Sequence, residues 1–405
     1  MKTATVTNFK DTEIGTIPEG WNIFSIQQVS DVVGGGTPST SNPDNFGGDI
    51  PWITPRDLSN YADRYISRGE RNITSAGLNS SNAKKIPKGT VLLSTRAPVG
   101  YLAIAQNEVT TNQGFHSMIP NEKTSTLFLY YLLKNNVQKL IDHASGSTFQ
   151  ELSGKTLKSL SFGFPDTNEQ KQIAEILSSL DDKIELNWKI NTNLENLAAA
   201  LFKKWFVEVG DELPEGWEIK PLDEVADFLN GLALRKYPAE SETEFLPVIK
   251  IRELKNGITD ATNKASVNIP DDYILKNGDV VFSWSGSLEV VIWCQGPGAL
   301  NQHLFKVTSD KYPKWFYYQW IKYFLPVFQN IASDKAVTMG HIKRGHLTES
   351  KVLVPDKNTL AEMDKLMNPI IDMIINNSIE TQNLIKTRDS LLPRLMNGRI
   401  RVNTE

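Results

Sequence analysis

Three stretches of this sequence carry residue types that could act on a phosphate, a methyl group or a phosphodiester. Ser-Gly-Lys-Thr at 153–156 has the tail of a loop whose backbone N–H groups cradle phosphates while a lysine reaches the outer ones. The nearest earlier glycine, Gly146, leaves seven intervening residues where that loop needs about four. Nucleotide binding is therefore rejected there. Asn-Pro-Asp-Asn-Phe at 42–46 has the outline of an Asn-Pro-Pro-aromatic motif that positions an amino group for methyl transfer. It lacks the second proline, and no glycine-rich cofactor strand precedes it. Residues 165–171 hold the letters of a metal-nuclease motif, but Asp166 and Glu169 lie too close together and at a helix start. Asp166 has a simpler role beside the positive end of that helix. The histidines 116, 143, 303, 341 and 346 form no metal-ligand spacing, and the single Cys294 adds none. A non-catalytic chain with no metal and no cofactor of its own is the expectation.

Composition narrows the class without naming it. The 405 residues suffice for two or three domains, and 40% hydrophobic with 22% charged residues is globular. A net charge of −4 gives no global basic character, so any surface for nucleic acid must be local. One cysteine fits a reducing compartment, the N-terminus has no apolar signal-like core, and no run approaches a membrane span; a cytoplasmic protein is expected.

The element that must position everything else is a long helix over 167–209. Ile173, Ile176, Leu180, Ile184, Trp188, Ile190, Leu194, Leu197, Leu201 and Trp205 draw one stripe at helical spacing. Thr167 and Gln170 form a capping box, and Gly210 is the expected stop. Forty-odd residues at about 1.5 Å each make a rod of roughly 60 Å, which needs a partner helix. That partner lies 190 residues on: Met363, Leu366, Ile370, Ile374, Leu384 and Leu391 keep the phase of the first stripe. Thr359 and Glu362 repeat the capping box, and Asn187 and Asn377 occupy matching places where buried amides fix register. Pro393 is expected to kink or end the second helix.

The duplication extends beyond the helices. Residues 17–35 match 213–231 with Trp21 and Trp217 as anchors; 89–118 match 278–307; and 146–165 and 336–355 both close on a proline before a long helix. A period this long means copied domains rather than a solenoid. The predicted fold is α+β: two duplicated α/β domains at 1–165 and 211–355, and two long antiparallel helices at 166–210 and 356–405, paired as a coiled-coil rod with pseudo-twofold symmetry.

With those paired openings, that central helix and the Ser-Leu-Leu-Pro-Arg-Leu-Met-Asn-Gly-Arg-Ile-Arg-Val ending, the chain resembles the specificity subunit of Type I restriction-modification systems over nearly its whole length. The resemblance implies two target-recognition domains, each reading half of a split sequence on double-stranded DNA. It further implies helices that hold two methyltransferase subunits, and motor-nuclease subunits joined through them. S-adenosylmethionine, ATP and Mg2+ would then belong to those partners. Independently of the resemblance, a rigid rod suits half-sites about one DNA turn, roughly 34 Å, apart, with rod length setting the spacer. A structural adaptor bridging proteins through the rod is the competing reading.

Comparing the halves separates framework from readout. The Pro-Glu-Gly-Trp openings, Gly89 with Gly278, Asn112 with Asn301 and Gln113 with Gln302 are shared and read as framework, although either glutamine could pair with adenine. Ser-Thr-Arg-Ala-Pro at 94–98 faces Ser-Trp-Ser-Gly-Ser at 283–287, so Arg96 and Ser285 mark a diverged reading loop. Ser147, Thr148 and Gln150 stand against Lys335, Lys343 and Arg344 in the loop before each helix, where lysines favour phosphates. Thr37, Arg56 and Asp57 extend the contact face in the first domain, and Arg235, Lys236, Lys250 and Arg252 in the second. Glycines 34–36 read as a flexible turn. Ala198, Ala199, Phe202 and Phe206, apolar beyond what one seam needs, are expected to dock partner helices.

Overall fold

Both long helices begin after a Pro-Asp pair, and the aspartate is the cap. Asp166 Oδ1 accepts from the N–H groups of Asn168 and Glu169 at 2.9 Å each, and Asp356 Oδ1 accepts from those of Asn358 and Thr359 at 2.9 and 3.1 Å. The start signal therefore sits one residue ahead of Thr167. Gln170 instead turns inward, donating to the carbonyls of Lys123 and Pro165 at 3.0 Å each. A computed structural model describes residues 8–146, 150–210, 212–334 and 340–402. In it the central helix spans Thr167–Phe202 and continues as one wider turn of π-helix over Lys203–Val207, short of Gly210. The second helix, Lys357–Met396, runs through both Pro369 and Pro393 and ends three residues after the latter. No helix among the described residues is long and apolar enough to cross a membrane.

Two compact units result: Met1–Glu185 with Leu384–Glu405, and Leu186–Asn383. The cuts fall inside both long helices, so each unit includes a stretch of each. Within either unit those stretches run antiparallel. In the first, Asp181 meets Arg388 and, just beyond the end of the second helix, Arg401 meets Glu169; in the second, Asn187 donates to Glu380 and Thr381 while Asn191 donates to Ile374 and Ser378. Asn377 Nδ2 also donates to Asn191 Oδ1 at 3.0 Å. This amide layer, with Asn187 fully buried, favours one register, because a shift would separate its Nδ2 from Glu380 and Thr381.

The two units repeat one topology. The first has a sheet ordered Ser30–Gly34, Phe115–Pro120, Val91–Thr95, Val99–Ala105, Tyr65–Ile66; the second orders Asp227–Asn230, Leu304–Thr308, Val280–Ser283, Val290–Ile292. In each, a strand just before the long helix pairs antiparallel with one near the opening: Ser161–Phe164 with Asn22–Ser25, and Lys351–Val354 with Glu218–Pro221. A second small sheet holds a parallel pair, Thr110–Thr111 on Phe46–Ile53 and Gly298–Leu300 on Leu246–Ile249. The cores are aliphatic and aromatic, with Trp21 buried in the first and Trp315, Phe316 and Trp320 in the second.

Glycines 34–36 are not a flexible turn. A Cβ on Gly35 would strike the carbonyl oxygens of Thr111 and Asn112, and one on Gly231 those of Leu300 and Asn301. Backbone passes against backbone at the same point of both units, which requires glycine there. Gly231→Ala is expected to destabilise the second unit by about 1–3 kcal/mol, because a rigid carbonyl rather than a flexible side chain must move. Thermal melting checks this, and an unchanged melting temperature would refute the close approach.

Candidate nucleic-acid interface

In the second unit the parallel strand Leu246–Ile249 ends at Lys250, which opens the helix Ile251–Asn256. Its neighbour Gly298–Leu300 ends at the turn Asn301–Gln302–His303. With the 3-10 turn Leu234–Lys236 these strand ends enclose a groove of about 810 Å³, lined by Arg235, Lys236, Lys250, Lys264, Gln302 and His303 among others. Among the described residues four cationic side chains line it and no carboxylate does. Lys250 Nζ donates to Asn263 at 2.6 Å and Lys264 pairs with Glu242 at 2.8 Å, whereas Arg235 and Lys236 extend into solvent. A sheet-end groove with exposed cations is suited to a polyanion, and its local charge coexists with a net-acidic chain.

A smaller hollow of about 330 Å³ lies beside it, lined by Asn230, Trp284, His341, Lys343 and Arg344 among others. Arg344 donates to the Phe228 carbonyl at 3.2 Å and lies over the Phe305 ring, and Lys343 is exposed. The two hollows share one wall, since Trp284 packs on both His303 and His341. Ser285 is 3% exposed and bonded to His303 Nδ1 at 3.0 Å, so it supports the wall and cannot itself reach a base. Arg252 does not serve the groove either. Its guanidinium donates to the buried Glu253 carboxylate at 2.7 and 3.0 Å and to the Ala261 carbonyl, which neutralises it outside the groove.

The first unit gathers its candidates around Gly114. Thr95, which precedes Arg96, donates its N–H to the Gly114 carbonyl at 2.8 Å, and Pro55, which precedes Arg56, packs against Gly114 on its other side. Thr37 donates to the Gln113 side-chain oxygen, so the segment after glycines 34–36 and the shared glutamine meet. Arg56 is exposed and 3.7 Å from Glu70; Arg96 is half-exposed and 3.6 Å from Glu151. Asp57 is a cap and not a reader. Its carboxylate accepts from Thr54 N–H, Thr54 Oγ1 and Glu70 N–H, each at 2.7 Å. Ser147, Thr148 and Lys335 lie outside the described residues; Gln150 is exposed.

The shared asparagines hold the turns: Asn112 Oδ1 accepts from Gly114 N–H at 2.9 Å and Asn301 Oδ1 from His303 N–H at 3.3 Å. The shared glutamine side chains are both exposed, with Gln113 Oε1 accepting from Thr37 and Gln302 Nε2 lying 3.3 Å from His303 Nε2. His303 and Lys264 are site residues that the sequence does not single out. His303 replaces Gly114 beside a shared glutamine, a divergence of the kind that marks Arg96 and Ser285. Lys264 carries no such signal, since only chain folding brings its strand to the groove.

Ala198, Phe202 and Phe206 do not present a free docking face. They are 0%, 4% and 4% exposed, and the two phenylalanine rings lie 4.9 and 5.6 Å from Trp320 inside the second unit's own core. The seam of the helix runs through Ile173, Leu177, Asp181, Ile184, Asn187, Ala198, Phe202 and Phe206, while Ile176 and Leu197 are exposed. Polar Asp181 and Asn187 sit on the seam, so a stripe drawn through apolar residues alone drifts to the adjacent row.

A family model described as Type I restriction modification DNA specificity domain matches residues 18–196 and again 214–387. The Type I restriction enzyme MjaIX specificity subunit of Methanocaldococcus jannaschii is 36% identical, over 98% of this chain and 97% of that one. The HindI specificity subunit of Haemophilus influenzae is 26% identical over 78% of this chain and 88% of that one. The crystal structure of a Type I restriction-modification S subunit from M. genitalium has the same fold, with a TM-score of 0.63 at 17% identity and 98% coverage of both chains. The doubled topology, the doubled family match and full-length kinship place this chain in the Type I restriction-modification DNA specificity family.

Proposed function

We propose that each unit reads one half of a bipartite sequence on double-stranded DNA, the second through the groove at Arg235, Lys236, Lys250 and Gln302, the first through Thr37, Arg56, Arg96 and Gln113. The basic groove of the second unit carries this reading. Arg235, Lys236, Lys343 and Arg344 hold phosphates and set orientation, and the uncharged groups between them face base edges. The long helices hold two methyltransferase subunits, through which motor-nuclease subunits join; S-adenosylmethionine, ATP and Mg2+ chemistry belongs to those partners. Since Ala198, Phe202 and Phe206 are core, the partner surface near them is assigned to the exposed Leu197, Val207, Tyr323 and Val327 instead. Val207 and Tyr323 line a small hollow together with Ala199, Phe202, Lys203, Gln319 and Lys322.

The test is selection of binding sites from random duplex DNA by the chain assembled with its methyltransferase, then exchange of residues 1–165 for those of a relative. One half of the selected motif is expected to change; a change in both halves, or no motif at all, defeats the assignment. Salt titration adds a quantitative arm. Replacing Arg235 and Lys236 by Gln is expected to reduce the log-log salt slope by about 2, one for each phosphate no longer neutralised, and to weaken all sequences alike. An adaptor that bridges proteins would show neither sequence preference nor steep salt dependence.

A further inference from the structure

Among the uncharged polar side chains that line the basic groove, most are already committed. Asn263 accepts from Lys250, and Asn301 holds its own turn. Gln302 is exposed, and its amide nitrogen lies 3.3 Å from His303 Nε2. The imidazole is fixed in turn by Ser285 Oγ at 3.0 Å on Nδ1, with Ser285 nearly fully buried, and by Trp284, whose ring centroid lies 5.9 Å away.

The hydrogens in this chain can be counted. If the imidazole proton sits on Nδ1 and is donated to Ser285 Oγ, then Nε2 accepts one N–H of the glutamine amide. A carboxamide has two N–H groups and one oxygen, and one N–H is now spent. What remains toward the groove is one donor beside one acceptor. In the major groove an adenine edge presents the complement, with N7 accepting and the N6 amino group donating. Guanine offers two acceptors there, for which the oxygen of Gln302 has no use.

We propose that Gln302 reads an adenine in the half-site bound by the second unit, and that His303, held by buried Ser285 and Trp284, is the positioning residue that aims its carboxamide. The proposal rests on the second unit being a DNA reader. Arg235 and Lys236 bring the duplex to the groove but have no part in the choice of base.

The full chain assembled with its methyltransferase is used to select duplexes from a random library, and each position of the recovered motif is then varied singly. Gln302→Ala is expected to lower discrimination at one A·T pair of the second half-site roughly 5- to 150-fold, leaving the other positions and the salt slope unchanged. Gln302→Glu, which can only accept, should move the preference at that pair toward cytosine, whose N4 amino group donates. Because Gln302 is exposed, both variants should keep the melting temperature of the parent. His303→Ala should cost part of the discrimination at the same pair and nothing further once Gln302 is alanine. If the parent selects a second half-site and Gln302→Ala selects it unaltered, the proposal is overturned while the reading of the second unit stands. If the parent selects no second half-site, that reading fails first. If His303→Ala weakens every duplex equally, the positioning role is wrong.

Discussion

Deletion of residues 384–405 is expected to unfold the first unit and leave the second folded. Leu392, Leu395 and Met396 are 7%, 1% and 5% exposed within the core of the first unit, although nearly 200 residues separate them from its other helix. Burial of each is worth about 1.5–3 kcal/mol, and the same deletion strips Arg401 from the buried Glu169 carboxylate, which it holds at 2.7 and 2.8 Å. Asp181 loses Arg388 as well. Together these losses match a typical domain's whole margin of about 5–15 kcal/mol. Limited proteolysis is the direct readout: fragments from 8–185 should degrade rapidly while a core within 186–383 survives. Protection of the N-terminal segment in the truncated chain would show that the first unit does not depend on its distant C-terminal piece. Leu395→Ala in the full chain gives the graded version, with an expected cost of about 2–5 kcal/mol.

Asp181→Leu is the point substitution with the largest expected effect. Its carboxylate accepts from Tyr131 and from Arg388 at 2.7 Å each, and it lies 4.0 Å from Arg64; the Asp181 and Arg64 side chains are 4% and 3% exposed. Burial pushes the Tyr131 hydroxyl far up, and the neighbouring Asp181 charge pushes it further. For Arg64, burial works against the charge, but the hydrogen bond to Glu185 and the nearby anions hold the guanidinium strongly protonated. Removing Asp181 leaves Arg388 and the Tyr131 hydroxyl short of a buried partner, and the cost of such a break is about 3–5 kcal/mol. Asp182 also touches Arg64 but is largely exposed, so Asp182→Ala should cost under about 1 kcal/mol. Chemical unfolding of both variants separates the cases; equal effects would mean that burial does not govern this cluster.

The doubled architecture is legible because repetition is a property of the chain itself. Trp21 with Trp217, Asn112 with Asn301 and the paired helices at a 190-residue offset are visible before any folding is considered. The capping of the helices is half legible. Asp166 stands out as complementing the helix end, yet Thr-x-x-Gln from Thr167 also fits a capping pattern and draws the cap bonds to the wrong residue. The apolar stripe misplaces the seam by one row at Ile176 and Leu197. The seam's polar members, Asp181 and Asn187, are tolerated inside only because Arg388, Tyr131, Glu380 and Thr381 meet them there. Periodicity of apolar residues cannot register such partners.

The site divides the same way. Arg235, Lys236, Lys250 and Gln302 stand out by position and residue type, and they converge on one groove. Arg252, Asp57 and Ser285 are their equals in sequence and are committed elsewhere, to Glu253, to Thr54 and to His303. From its sequence alone this chain was determined to be a copied half-molecule with two long helices and a family likeness, since order, period and spacing survive in one dimension. Which cations reach solvent, which phenylalanines face the core and which amide is aimed at the groove were decided only by tertiary structure, because each depends on a partner contributed by a distant part of the chain.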